Sequence, residues 1–410
     1  MYPRMQHMRV IVAAIAAAFP LAAFGADDMT ALKQQLEALK REVSELRTLM
    51  QQQTQKAATK EEVKAVQTEV SQVAKEQSSM LGANSIAHLS GYGAMGYADQ
   101  KNSNGTFNTV MFNPIFHYQY KDLIFFETEL ETEVEPDGGT NVALEYANAN
   151  LFINDYVSAF AGKFLSPVGY FFPNLHPAWI NKFPSRPPGF GVEGSAAPES
   201  DVGVGVRGGF NLGGKPKANY VFYAGNGPRL ELSAMGDEIE GVEAEGSTSN
   251  PDNSLVYGGR FGFLPIPHLE FGISGAISKV AVDLPGEGKR DYSAAGADAS
   301  WEYRGLSLRG EYIQQKVDDL ATSAAPQGGT WKTWYAQAAY RFPKRGWEPV
   351  LRYGDFNSPH ADQSQRQWGL GLNYWFAPSA VGKIGYEFNS GETGTTNDDD
   401  RLMLQFAYGF

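Results

Sequence analysis

The sequence predicts an all-β transmembrane fold, a 16-stranded antiparallel β-barrel preceded by an α-helical coiled coil. Three observations predict it. From about residue 87 to the C-terminus, apolar and polar residues alternate with period two, the pattern of strands with one apolar and one wet face. The composition is rich in Gly (45 of 410), Phe (25) and Tyr (20), yet only 42% hydrophobic, as when lipid-facing and water-facing positions average out. Ahead of the alternation, apolar residues recur at spacings of three and four, a heptad seam.

The N-terminus comes first. Met1–Gly25 reads as a secretory signal: Arg4 and Arg9 make a positive start, Val10–Phe24 is uncharged and apolar, and Ala23-Phe24-Gly25 offers small residues at the cleavage positions. Cleavage would start the mature chain at Ala26. It would remove two arginines and no acid, taking the net charge from −12 to −14. An uncleaved membrane anchor is the alternative. Residues 26–84 form the coiled-coil region. One seam runs through Met29, Leu32, Leu36, Leu39, Val43, Leu46 and Met50; a second, out of phase, runs through Val63, Val66, Val70 and Val73. Thr59-Lys60-Glu61-Glu62 restarts the helix as a capping box. The narrow stripe favours self-association over a lone surface helix, and valine along the second seam favours three strands.

Residues 85–410 are the barrel. The alternation defines strands at 87–98, 109–120, 123–134, 141–153, 156–165, 201–212, 217–226, 254–264, 268–282, 291–303, 306–317, 331–342, 348–356, 366–376, 380–389 and 401–410. In 141–153, Glu145 and Asn148 cannot share a face without a bulge. Short connections alternate with long ones, as in outer-membrane barrels with both ends in the periplasm. Trp301/Tyr303, Tyr340/Phe342 and Tyr374/Phe376 stand beside short turns as an interfacial girdle. Phe406, Tyr408 and Phe410 place aromatics at alternate positions up to the last residue, resembling the assembly signal of Gram-negative barrels.

A 16-stranded barrel encloses an aqueous lumen. Glu127, Glu129, Glu131 and Glu133 share one face of one strand, which must be the inner face, because four carboxylates in lipid would be prohibitive. Asp298, Glu302 and Glu311 complete the acidic lining. Lys163, Arg207, Arg260, Arg309, Arg341, Arg352, Lys383 and Arg401 make the basic lining. Most of the basic set lies late in the chain, so an acidic wall facing a basic one is expected, with a field across the pore. The 166–200 loop carries seven prolines and six aromatics. Such a stiff apolar segment is expected to fold inward as a constriction, with Trp179 in it and Lys182 and Arg186 as its exposed charges; a lid or subunit contact is the alternative. Loop 227–253 holds Asp237, Glu238, Glu240, Glu243 and Glu245. With Asp398–Asp400 it makes an acidic, solubilising mouth.

Other chemistry is not indicated. With no cysteine there is no disulfide or thiolate site. No His/Glu metal spacing, phosphate loop or nucleophile elbow occurs, so neither an enzyme nor a metal or other cofactor is expected. The acidic charge disfavours nucleic acid.

Leu144-Glu145-Tyr146-Ala147, the run 161–169 (AGKFLSPVG), the run 175–182 (LHPAWINK) and Asn226-Gly227 carry a likeness. On these residues the barrel resembles Gram-negative porins, most closely the phosphate-selective porin O and P family. The resemblance implies a trimeric sixteen-stranded channel with the loop after strand five folded inward. The chain departs from that family's basic throat, since only Lys182 and Arg186 lie in 166–200. An added coiled coil is also seen ahead of some sugar-porin barrels. The reading that follows is an outer-membrane porin of a Gram-negative bacterium, a passive diffusion channel for small hydrophilic solutes or ions. The partners expected are outer-membrane lipid and lipopolysaccharide, the barrel-assembly machinery, two further copies forming a homotrimer, and peptidoglycan or a periplasmic protein at the coiled coil. The alternative is a structural or adhesive barrel with a plugged pore.

Overall fold

The structure is a computed structural model and describes residues 84–191 and 194–410. The signal segment and both heptad seams lie outside the described residues.

Sixteen antiparallel strands close into one barrel. They are β1 (Ser85–Gln100), β2 (Thr106–Tyr120), β3 (Ile124–Val134), β4 (Thr140–Asn154), β5 (Val157–Leu165), β6 (Ser200–Asn211), β7 (Lys217–Gly225), β10 (Val256–Ile266), β11 (Leu269–Val280), β12 (Arg290–Tyr303), β13 (Leu306–Val317), β14 (Gly329–Tyr340), β15 (Trp347–Asn357), β16 (Gln365–Ala377), β17 (Ala380–Gly391) and β18 (Arg401–Gly409). Each pairs with its neighbour in the chain, and β18 returns to pair with β1. These are the sixteen strands that the alternation predicts, with ends displaced by a few residues. Closure leaves no free sheet edge, and every strand can satisfy its backbone without water.

The alternation sorts the wall. Ile273, Ile277, Val204, Phe222, Leu370 and Leu404 stand exposed on the outer face, where lipid would cover them. Aromatic pairs lie near the short connections, among them Trp301–Tyr303 with ring centroids 6.0 Å apart and Trp347–Tyr374 at 4.7 Å. Those turns need left-handed backbone, which Lys121, His268 and Arg304 adopt. His268 is thus a turn residue.

Three features differ from expectation or refine it. First, Glu129 pairs with Tyr146 and Leu130 with Leu144, so Glu145 is the extra residue of a bulge in β4. The bulge lets Glu145 and Asn148 both be buried. Second, the 227–253 loop is not only a solubilising surface. It contains a hairpin, β8 (Arg229–Leu232) paired with β9 (Ile239–Glu243), that buries Leu230, Ile239 and Val242. Third, Arg341 lies just past β14, in the turn, rather than on a strand. There its guanidinium stacks 4.4 Å over the Trp375 ring.

The last residue completes the seam. The Phe410 amide donates to Gly91 O (2.9 Å), Phe410 O accepts from the Gly91 amide (3.1 Å), and its ring stacks on Phe112 at 5.5 Å. Deleting Phe410 removes all three contacts at the closure. The expected outcome is a sharp fall in folded, heat-modifiable barrel on unboiled gels; an unchanged yield would show that the terminal residue is dispensable.

Candidate functional site

The inner face and the long 166–199 connection form the candidate site. The connection has little regular structure beyond one helical turn, α1 (Phe171–Leu175). Its seven prolines pin φ and remove backbone donors, so it cannot join the sheet. It instead packs its aromatic side chains. Phe171, Phe172 and Phe190 are fully buried, with Phe190 5.2 Å from Phe171 and 5.5 Å from Tyr335.

Polar inner-face groups then capture its backbone. Ser274 Oγ on β11 accepts from the Gly169 amide (2.9 Å), and Glu311 Oε1 on β13 accepts from the Tyr170 amide (2.6 Å). Gln315 donates to Ser195 O (3.0 Å), Thr333 on β14 to Pro188 O (2.6 Å) and Arg352 on β15 to Ser185 O (2.7 Å). Asn373 on β16 donates to Lys182 O (2.8 Å), Lys383 on β17 to Asn181 O (2.7 Å) and Ala178 O, and Gln405 on β18 to Pro184 O (3.2 Å). One segment is therefore tied to every strand from β11 to β18 except β12. Two approaches require glycine. Gly169 has φ +97, and a Cβ there would fall 2.3 Å from Glu311 Oε1. On the wall, Gly369, Gly371 and Gly385 make a floor for the Phe183 ring, which lies 2.9–3.1 Å from where their Cβ atoms would be.

These contacts correct several expectations. Lys182 and Arg186 are not exposed charges. Lys182 Nζ sits 2.7 Å from Glu348 Oε1, and Arg186 Nη1 lies 3.2 Å from Glu199 Oε1. Glu348 is on the wall and Glu199 is in the segment itself, and a cation leaving water beside either carboxylate pairs with it. Trp179 rests on Gly409. Glu311, Arg352 and Lys383 are buried against the segment and do not face open water. Nor is there a free basic wall. Arg260 is held by Asp298 (2.6 Å) and Glu270 (3.0 Å), Arg309 by Glu302 (3.2 Å), and Arg352 and Arg401 both by Glu387 (3.1 and 2.7 Å). Barrel closure also places β18 only three strands from β3, closer than linear order suggests. Arg207 Nη2 lies 3.8 Å from Glu127, and Lys163 donates to Leu144 O.

The glutamate column is graded along β3. Glu127 is half-buried. Glu129 is wholly buried: Tyr92 donates to its Oε1 (2.7 Å), and its Oε2 is 3.6 Å from His176 Nε2. Burial works to lower the His176 pKa, but the Glu129 and Glu145 carboxylates outweigh it and hold the imidazole above its ordinary value. Glu131 and Glu133 are half-buried and face open space.

That space has two parts. A cavity of about 450 Å³ lies on the short-turn side, bounded by Glu127, Tyr146, Asn148 and Arg207. One of about 510 Å³ lies on the long-loop side, bounded by Glu131, Glu133, Glu145 and Arg186. His176 borders both.

No protein-family model matches the chain, and no curated protein matches it. Solved structures do. The OmpF of Salmonella typhi and an anion-selective porin from Comamonas acidovorans each superpose with TM-score 0.53 at 13% identity, over 80% of this chain and 98% and 100% of theirs. This chain has the sixteen-stranded porin fold. The outer-membrane channel DcaP of Acinetobacter baumannii shares it too, with TM-score 0.53 and 10% identity over 80% of this chain and 98% of its own. At such identities the likeness is one of fold. On that fold the chain carries the segment tied across β11–β18 and the acidic inner face of β3 and β4.

Inner-face acids missed in the sequence include Glu270, which holds Arg260, and Glu348 and Glu387, both fully buried. The signal was available: Glu348 has the strand parity of Arg352, and Glu387 that of Lys383. Tyr92 and His176 carried no such signal, since they matter only through Glu129.

Proposed function

We propose that the protein is a Gram-negative outer-membrane porin through which small hydrophilic solutes and ions diffuse, without catalysis. The observation that carries this reading is the closed barrel whose inner face carries charged side chains, with open space beside the acids of β3 and β4. In this reading residues 166–199 fold inward and narrow the pore. The lining acids Glu131 and Glu133, in series with Glu127, then bias passage towards cations. Phosphate selectivity is not part of the proposal, because Lys182 and Arg186 are each engaged by a glutamate. Three copies, joined in the periplasm by residues 26–84, complete it. Phe406, Tyr408 and Phe410 serve as the signal to the assembly machinery, and the coiled coil meets peptidoglycan or a periplasmic protein.

One observation favours a second reading. Glu129 has no exposure, and the two cavities share only His176. A barrel shut at that level would be structural. Planar-bilayer recording of purified protein with a KCl gradient separates the two. Steady conductance with a cation-selective reversal potential is expected. Anion selectivity would return the arginines to control, and a silent membrane would leave the plugged barrel.

A further inference from the structure

We propose that the cavity on the long-loop side of His176 is a binding site for small organic cations, solutes carrying ammonium groups. The inference rests on the channel reading and names its solute class. Five carboxylates border the cavity: Glu131, Glu133, Glu145, Glu199 and Glu245. Three basic side chains stand among them, and His176 Nε2 lies 3.6 Å from Glu129 rather than from the five. Arg186 is held on Glu199, and Lys163 donates to a backbone carbonyl.

An acidic cluster alone could be a hydrated lining. Glu145 is what makes it a site. It is the extra residue of the β4 bulge, so a break in the ladder aims this side chain at the cavity. It is only 8% exposed, and its Oε1 has no hydrogen-bond partner. A buried carboxylate oxygen with an empty valence is costly unless a donor arrives. An alkylammonium supplies up to three N–H donors and the compensating charge. A free carboxylate or phosphate would be repelled. Among the described residues no set of three or more His, Cys, Asp or Glu is arranged to hold a metal ion, and about 510 Å³ admits a small molecule.

The test titrates putrescine into the purified full-length protein in detergent at low salt, read by calorimetry, with succinate and glucose as controls. The same preparation is recorded in planar bilayers. Saturable putrescine binding is expected, weakened about tenfold or more in Glu145→Gln, because a charge-assisted contact is lost. Glu133→Gln is a second variant, expected to weaken binding in the same direction, and heat-modifiability checks that each variant is folded. No saturable heat, equal affinity in both folded variants, or succinate or glucose binding as well as putrescine overturns the site. Conductance without putrescine binding overturns this site alone. Binding without conductance overturns the channel reading and leaves a cation pocket in a closed barrel.

Discussion

Replacing residues 178–190 with a short Gly-Ser bridge is expected to raise single-channel conductance severalfold in planar bilayers. The span's backbone is bonded across β14–β18, and its Phe183 ring covers the glycine floor of β16 and β17. A sixteen-stranded wall without a plug leaves an aqueous channel. Removing the span uncovers Glu348, Arg352, Lys383 and Glu387, all now buried. Those charges would meet water and not lipid, so the barrel should still fold. Unchanged conductance would mean that this segment does not limit the pore. A smaller change tests the anchor. Arg352 and Glu387 are both fully buried and 3.1 Å apart, and removing one partner of such a pair costs about 3–5 kcal/mol. Arg352→Ala should therefore leave the barrel closed and make the current noisy as the segment loosens.

The wall was legible in the sequence, and its interior mostly was not. Period-two alternation is local, and the cost of an inward or outward error is large. The pattern of Val202–Leu212 or Leu402–Phe410 therefore suffices to place a strand and its faces. The bulge at Glu145 was legible for the same reason, as a breach of the alternation. What charges do inside depends on register between strands and on a segment crossing the barrel. Arg260 finds Asp298 two strands away, and Lys182 finds Glu348 across 166 positions; no local pattern encodes either. Acids and bases of the right parity looked like opposed walls, but desolvation drives them into pairs. The glycines 369, 371 and 385 looked like ordinary strand glycines until Phe183 was seen to lie on them. The β8–β9 hairpin was hidden by five acids around a few apolar residues.

Glu127, Glu129, Glu131 and Glu133 changed together to Gln are expected to abolish cation preference, moving the reversal potential in a KCl gradient to zero or to the anion side. The four do not contribute equally. Glu127 has Arg207 nearby, and Glu129 is enclosed by Tyr92 and His176. Glu131 and Glu133 face open space, and neither makes a salt bridge among the described residues. A carboxylate about 8 Å from a passing monovalent ion biases it by ~2 kcal/mol at an effective permittivity of about 20. Screening shortens that reach to about 10 Å at 0.1 M salt, so the measurement belongs at or below that concentration. The double variant Glu131→Gln/Glu133→Gln should carry most of the shift. Glu129→Gln should barely move selectivity, because Glu129 has no exposure and lines neither cavity. It should loosen the contact between α1 and β3, since the carboxylate that accepts from Tyr92 and stands 3.6 Å from His176 Nε2 is replaced by an amide. If the quadruple variant keeps the wild-type reversal potential, the column is a wet lining and selectivity arises elsewhere. If Glu129→Gln alone reproduces the whole shift, ions pass the His176 level directly, and the two cavities are one path.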